Sequence, residues 1–251
     1  MIDIETRDRL KMMRLSGMVE ALDELSDINH AQGLSTPDVL KLVVDREWDR
    51  RQTSKLKRLA KTAALAQPHA CVNDIRHVNG RKIDLDTISR LAVGNYLVQR
   101  KDVVIQGPAG SGKTYVACAL ANRAVQQHRT VQYLSSVDLF DQITMADRQG
   151  TRKQLFDKLL KVQLLVIDDW FLHTPTPEQV QHLHTLVDRR QGRGSTIYCT
   201  QLGPEQWHNR IAEKFVADAI IDRITSNSIT TTLDSDVSMR ATFSPTAGPA
   251  T

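Results

Sequence analysis

Val103-Val104-Ile105-Gln106-Gly107-Pro108-Ala109-Gly110-Ser111-Gly112-Lys113-Thr114-Tyr115 sets a short apolar run directly before a glycine-rich loop, and an alanine-rich helical pattern follows to Val125. Strand, loop and helix in that order form the phosphate-binding unit of P-loop nucleotide-binding folds. Gly107, Gly110 and Gly112 let the backbone curl so that successive N–H groups point inward, with Pro108, Ala109 and Ser111 completing the loop. The helix behind it aims a partial positive charge at the same place. Lys113 is expected on the β and γ phosphates of ATP, the Thr114 hydroxyl on Mg²⁺, and Tyr115 beside them. The alternative, a glycine-rich surface turn, does not account for the buried-type strand before the loop or the helix after it.

Leu164-Leu165-Val166-Ile167 runs into Asp168-Asp169 and reads as a fully buried strand ending in two carboxylates. Ligands of open α/β sheets collect at the carboxyl ends of strands, so Asp168 is expected to hold Mg²⁺ through water. Asp169 is then the residue that orients or deprotonates the attacking water. Many ATPases of this kind place Glu there, and Asp is one methylene shorter. A strand that merely ends in an acidic turn is the alternative.

The 251 residues, 41% hydrophobic and 25% charged, suffice for a full α/β core with a smaller appendage. No run of about 18 apolar residues predicts a membrane span, and Met1-Ile-Asp-Ile-Glu5 has neither a basic nor an apolar leader region. Cys71, Cys118 and Cys199 lack metal-ligand spacing and read as reduced thiols, which together with the amino terminus predicts a cytoplasmic protein. A net charge of +4 permits nucleic-acid binding without demanding it.

The distribution of charge says more. From Lys41 to Lys61 eight Lys or Arg stand against three acids, so one segment carries more positive charge than the whole chain nets. Leu40, Val43, Val44, Trp48, Leu56, Leu59 and Ala60 recur at roughly helical spacing, which would set the basic residues in a stripe along a helix. Arg46, Arg50, Arg51, Lys55, Lys57, Arg58 and Lys61 are the candidate contacts to duplex DNA. A solvated face with i, i+4 pairing, such as Glu47 to Arg51, is the alternative. Arg76, Arg81, Lys82 and Arg148 are further basic residues whose place on a DNA path is open.

Residues 1–66 read as a small helical domain: Leu10 to Leu25 gives one amphipathic helix, or two broken near Gly17, and Ser35-Thr36-Pro37 starts another. Residues 67–102 read as a polar connector with a turn at Asn79-Gly80 and a lead-in helix from Ile88 to Leu97. Residues 103–243 alternate strands (103–106, 131–134, 164–168, 195–200, 229–233) with helices (114–127, 136–148, 152–158, 177–191, 210–224), which predicts a three-layer α/β fold on a parallel sheet. Residues 244–251 are Pro, Gly, Ala and Thr in the main and are expected to be disordered. The strand ending Thr200-Gln201 should lie beside the phosphate loop, where either residue could sense the γ-phosphate.

The phosphate loop, Ser135-Ser-Val-Asp-Leu139, Leu164 to Trp170, Ser195 to Gln201 and Ala219-Ile-Ile-Asp222-Arg223-Ile224 together resemble the IstB-type transposition helper ATPases, a branch of the AAA+ proteins close to the DnaC helicase loaders. The likeness covers 103–243 and extends more loosely over Leu10 to Leu25 and the basic helix. It implies an AAA+ P-loop fold with ATP and Mg²⁺ between subunits of a homo-oligomer. By the same resemblance Arg223 is the arginine finger that reaches a neighbouring subunit's nucleotide, and Arg240 acts on the nucleotide of its own subunit. Arg223 paired with Asp222 is the structural alternative. Gln201 stands where relatives commonly have Asn. The function implied is an ATP-dependent helper that assembles on duplex DNA and recruits or regulates a transposase. A helicase loader in DNA replication is the alternative, and a small-molecule kinase is disfavoured by the Asp168-Asp169 and Asp222-Arg223 pairs.

Overall fold

The computed structural model describes residues 3–27, 33–76 and 81–235. They divide into two compact units, one ending at Arg58 and one beginning at Leu59.

The first unit is helical. Helix α1 (Ile4–Met12) is capped by Asp3, whose carboxylate accepts the Thr6 amide and hydroxyl at 2.8 Å each. The chain breaks at Arg14, in left-handed backbone (φ 59°), and α2 (Ser16–Asp27) follows, so the break falls ahead of Gly17 and not at it. Gly17 has a different role: a Cβ there would lie 2.9 Å from the Glu47 Cα, so its absence lets α2 approach α3 (Thr36–Ala63). The Gly17 amide donates to the buried Glu47 carboxylate at 2.7 Å. Burial by itself raises the Glu47 carboxyl, but hydrogen bonds from Arg51 and the Gly17 amide outweigh it and hold the pKa below the ordinary value. Of the apolar stripe read along α3, Val43 and Leu59 are buried, whereas Leu40, Val44 and Trp48 are exposed on one face.

The second unit is a six-stranded sheet between two helical layers. Strands β1 (Arg81–Ile83), β2 (Asp102–Gln106), β3 (Val131–Ser135), β4 (Leu164–Asp168), β5 (Ser195–Thr200) and β6 (Ser228–Ser235) lie in the order β1-β6-β2-β5-β4-β3. All neighbours are parallel except β1, which runs antiparallel to β6 with Arg81 opposite Ser235. The sheet is thus mostly parallel and not wholly so, because three residues of the stretch read as connector add an edge strand. Alternate residues serve opposite faces. Val103, Ile105, Leu164, Val166, Ile197 and Cys199 pack with α4 (Leu85–Val93) and α6 (Lys113–Gln126). Val104, Leu165, Ile167 and Tyr198 face the other layer, formed by α7 (Ser136–Arg148), α8 (Arg152–Lys161), α9 (Pro177–Arg190), α10 (Pro204–Arg210) and α11 (Lys214–Ser226).

The residues between 67 and 102 do more than connect. Ile75, Ile83, Ile88, Leu91 and Tyr96 join the same core cluster as Val103 and Ile105. The single helix read from Ile88 to Leu97 is α4 and α5 (Asn95–Gln99), divided at Gly94 in left-handed backbone (φ 92°). The helix read over 210–224 is α11, which starts four residues later, and the preceding α10, opened by Pro204, is a helix the sequence reading lacks. Asn79-Gly80, Arg240 and residues 244–251 lie outside the described residues.

Candidate nucleotide-binding site

Strand β2 lies between β5 and β6, with Gln106 opposite Thr200 and Thr232, so the loop that follows opens at the middle of the sheet's carboxyl edge. A Cβ on Gly107 would run into the Leu233 carbonyl oxygen and come within 2.9 Å of the Ser111 Oγ. Gly112 is required for conformation instead, at φ 91° as the residue before α6. The buried Lys113 ammonium donates to the Gly107 and Pro108 carbonyls at 2.8 Å each, so it is held inside the loop. Ser111 Oγ is buried there without a hydrogen-bond partner among the described residues. A buried donor without a partner costs about 1–3 kcal/mol, and phosphate oxygens would satisfy both it and the ammonium. The loop therefore fits a nucleotide's phosphates.

Two elements, α6 and β3, reach Asp168, and the next residue's amide adds a third donor. Thr114 Oγ1 of α6 and Tyr133 Oη of β3 each donate to Asp168 Oδ2 at 2.7 Å, and the Asp169 amide donates to Oδ1 at 2.9 Å. Thr114 and Asp168, predicted fifty-four residues apart to share a cation, are thus already in contact. Burial, and then the Asp168 charge, push the Tyr133 phenol well above its ordinary pKa and keep it a donor. Tyr133 was not read as a site residue. The available signal was parity: Tyr133 pairs with Val166, two residues before Asp168, and so shares its face.

Asp169 adopts left-handed backbone (φ 55°), which Asp tolerates better than Glu does. Its carbonyl accepts the Ser136 hydroxyl at 3.0 Å. This supplies a local reason for the shorter carboxylate. Of the two residues read as sensors, Thr200 is committed to the fold. Its fully buried Oγ1 accepts from the Leu202 amide at 3.0 Å and Trp207 Nε1 at 3.1 Å, and it lies 3.2 Å from the Trp170 carbonyl. Gln201, half-buried, directly follows β5.

Arg223 does not pair with Asp222. From α11 its Nε and Nη2 lie 3.0 Å from Asp188 Oδ1 of α9, and Nη1 donates to the Ala219 carbonyl at 3.0 Å. Asp222 is exposed. The pairing partner was illegible because it lies on a different helix, thirty-five residues away.

Folding also divides the basic stripe of α3. Arg46 pairs with Glu24, Arg50 lies 3.7 Å from Glu20, and Arg51 pairs with Glu47 at 2.6 Å. Lys55, Lys57, Arg58 and Lys61 are exposed on the carboxyl half of α3, where no acid occurs between Arg50 and Lys61. The Glu47–Arg51 pair expected of a solvated face is therefore present, but only in the amino half.

The sequence and fold have clear relatives. The family model described as IstB-like ATP binding protein matches residues 8–245. An insertion sequence ATP-binding protein, y4pL, of Sinorhizobium fredii is 35% identical over 88% of this chain and 90% of its own length. The insertion sequence IS1162 ATP-binding protein of Pseudomonas fluorescens is 35% identical over 80% and 87%. Among solved structures, DnaI aligns with a TM-score of 0.59 at 17% identity, over 73% of this chain and 100% of that one. The DnaC helicase loader gives 0.57 at 16% identity, over 66% and 97%. The structural likenesses speak for the fold, an AAA+ P-loop core, and the sequence matches speak for the family. This chain belongs to the IstB-like ATP-binding proteins and is an AAA+ ATPase of the kind associated with insertion sequences.

Proposed function

We propose that this protein is the ATP-dependent helper of a transposition system. In this reading it binds ATP with Mg²⁺, assembles on duplex DNA and recruits or regulates a transposase. The observation that carries it is the preformed Thr114–Asp168–Tyr133 constellation beside the phosphate loop, in a chain whose 35%-identical relatives are named for insertion sequences. Thr114 would move its hydroxyl to Mg²⁺, Asp168 would hold the ion's water, and Lys113 would exchange loop carbonyls for phosphate oxygens. Mg²⁺ held by these residues would neutralise the charge that develops on the phosphates. Asp169 orients the attacking water, and Gln201 senses the γ-phosphate.

Arg223 serves the next subunit's nucleotide. To reach it, the guanidinium leaves Asp188, so the ion pair marks the unassembled state. The DNA surface is the carboxyl half of α3, where Lys55, Lys57, Arg58 and Lys61 are exposed along a stretch of sequence that contains no acid. Binding through phosphates predicts sequence tolerance and a steep dependence on salt. Helicase loading is the second reading, and the DnaC helicase loader, at 16% identity, shares the fold alone.

The test is light scattering of the purified chain with a non-hydrolysable ATP analogue and a duplex of about 50 base pairs, long enough for several subunits to make phosphate contacts. Assembly that needs both ligands supports the reading. A chain that stays monomeric with both, yet co-purifies with a replicative helicase, moves it to the loader.

A further inference from the structure

The two helical layers of the second unit carry surfaces that fit each other and cannot meet within one molecule. On one layer, Phe215 in the first turn of α11 is 92% exposed. Asp218, 71% exposed with its Oδ1 3.3 Å from His208 Nε2, and the exposed Asp222 extend from the same helix. Solitary exposed aliphatics are ordinary on a protein surface, but a phenylalanine on a well-formed helix with almost its whole ring in water is costly. On the other layer, a groove of about 560 Å³ runs between α6, α4 and the segment 68–73. Pro68, Val72, Ala92, Val93 and Ala119 line it, and Val93 is 62% exposed. Arg123 stands in its wall, hydrogen-bonded to Gln126 at 3.3 Å and without a carboxylate partner among the described residues. The α6 residues of the groove begin at Ala119, about 9 Å along the helix axis from Lys113, so the groove is separate from the phosphate loop.

We propose that the groove receives Phe215 of a second copy of this chain, with Arg123 meeting the acidic rim formed by Asp218 and Asp222. The charges are complementary, the aromatic has a receptacle of mixed lining in which Pro68, Val72, Ala92, Val93 and Ala119 supply the apolar contacts, and both halves are on this chain. Because the two halves occupy opposite layers of the sheet, the contact is heterologous: each subunit offers one half to each neighbour, which builds a ring or a helical filament and not a closed dimer. The inference rests on the proposed shared nucleotide site, since α11 also carries Arg223 and the two contacts would form one interface. Phe215 would serve as its buried aromatic anchor.

The experiment replaces Phe215 with the photo-crosslinking analogue p-benzoylphenylalanine in the full chain, with the ATP analogue and duplex DNA present. The proposal expects a ladder of dimer, trimer and higher adducts, with the α11 peptide joined to peptides from 68–73, α4 or α6. Adducts mapping elsewhere, or no adducts, overturn it. Two further variants separate this inference from the shared-site reading. Phe215→Ser should weaken assembly at least tenfold while leaving binding of the ATP analogue unchanged, and Asp218→Arg should be rescued by Arg123→Asp. If Arg223→Ala abolishes assembly and Phe215→Ser does not, the anchor fails and the shared site stands. If Arg223→Ala still assembles and gives the groove adducts with full ATPase activity, the groove stands and the shared site fails.

Discussion

Gly107, Ser111 and Lys113 are buried together in the phosphate loop, whereas the basic residues of α3 part company, three engaged by Glu20, Glu24 and Glu47 and the rest exposed. Both regions announce themselves in sequence by a dense local pattern. The loop's pattern is its mechanism, because eight consecutive residues set the backbone that binds. The pattern along α3 is an inventory from which folding subtracts, because two of its three partners, Glu20 and Glu24, come from α2, more than twenty residues away.

The largest effect expected of this contrast lies in the loop. Lys113→Ala removes the ammonium that satisfies the cradle and should lower ATP affinity roughly 1000-fold, about 4 kcal/mol, measured by calorimetry. An effect below tenfold would mean that the loop's amides bind alone. Beneath the loop, Asp102 opens β2 and accepts the Thr196 amide at 2.6 Å, and burial pushes its carboxyl up to about 7. The folded state then holds a proton that the unfolded chain releases near pH 4. Stability should fall as pH rises from about 4 to about 7, by roughly 2–4 kcal/mol from this group. Chemical denaturation across that range should show the slope, and Asp102→Asn should remove it.

On α3 the prediction is a split. Reversing Lys55, Lys57 and Lys61 to Glu should weaken duplex binding at least tenfold and reduce the salt slope by about three, read by fluorescence anisotropy at several salt concentrations. Arg46→Ala with Arg50→Ala should change DNA affinity far less and cost stability about 1 kcal/mol or less, since exposed pairs contribute little. Equal losses from the two sets would erase the division. The smallest effect belongs to Tyr133→Phe, which leaves Asp168 in place but removes one donor. Mg²⁺ dependence of ATP hydrolysis should shift a few-fold, about 0.5–1.5 kcal/mol, with nucleotide affinity in the absence of metal unchanged.

The same distinction explains how much was legible. The strands from Val103 and Leu164 could be read because buried parallel strands are apolar runs, and those from Val131, Ser195 and Ile229 because β-branched and aromatic residues cluster there. Strand β1 could not, since Arg81-Lys82-Ile83 is a polar edge whose pairing with β6 is decided over one hundred and fifty residues away. The start of helix 210–224 falls at Lys214 instead, and the short α10 before it is marked in the sequence only by Pro204 and, in the fold, by the buried Trp207. In the site, Lys113, Thr114 and Asp168 follow from motif and strand position. Tyr133 and Asp188 do not, because each acts through a tertiary contact with no local signature.

Mixing two inactive variants tests the central claim, that one subunit's Arg223 completes another's nucleotide site, most directly. Lys113→Ala leaves a subunit that offers its arginine but binds no ATP, and Arg223→Ala leaves one that binds ATP but offers no arginine. Each alone, with duplex DNA and ATP, should be inactive, and the mixture should recover part of the wild-type hydrolysis rate. A mixture as inactive as its components, or an Arg223→Ala protein that hydrolyses ATP at the wild-type rate, would contradict the account.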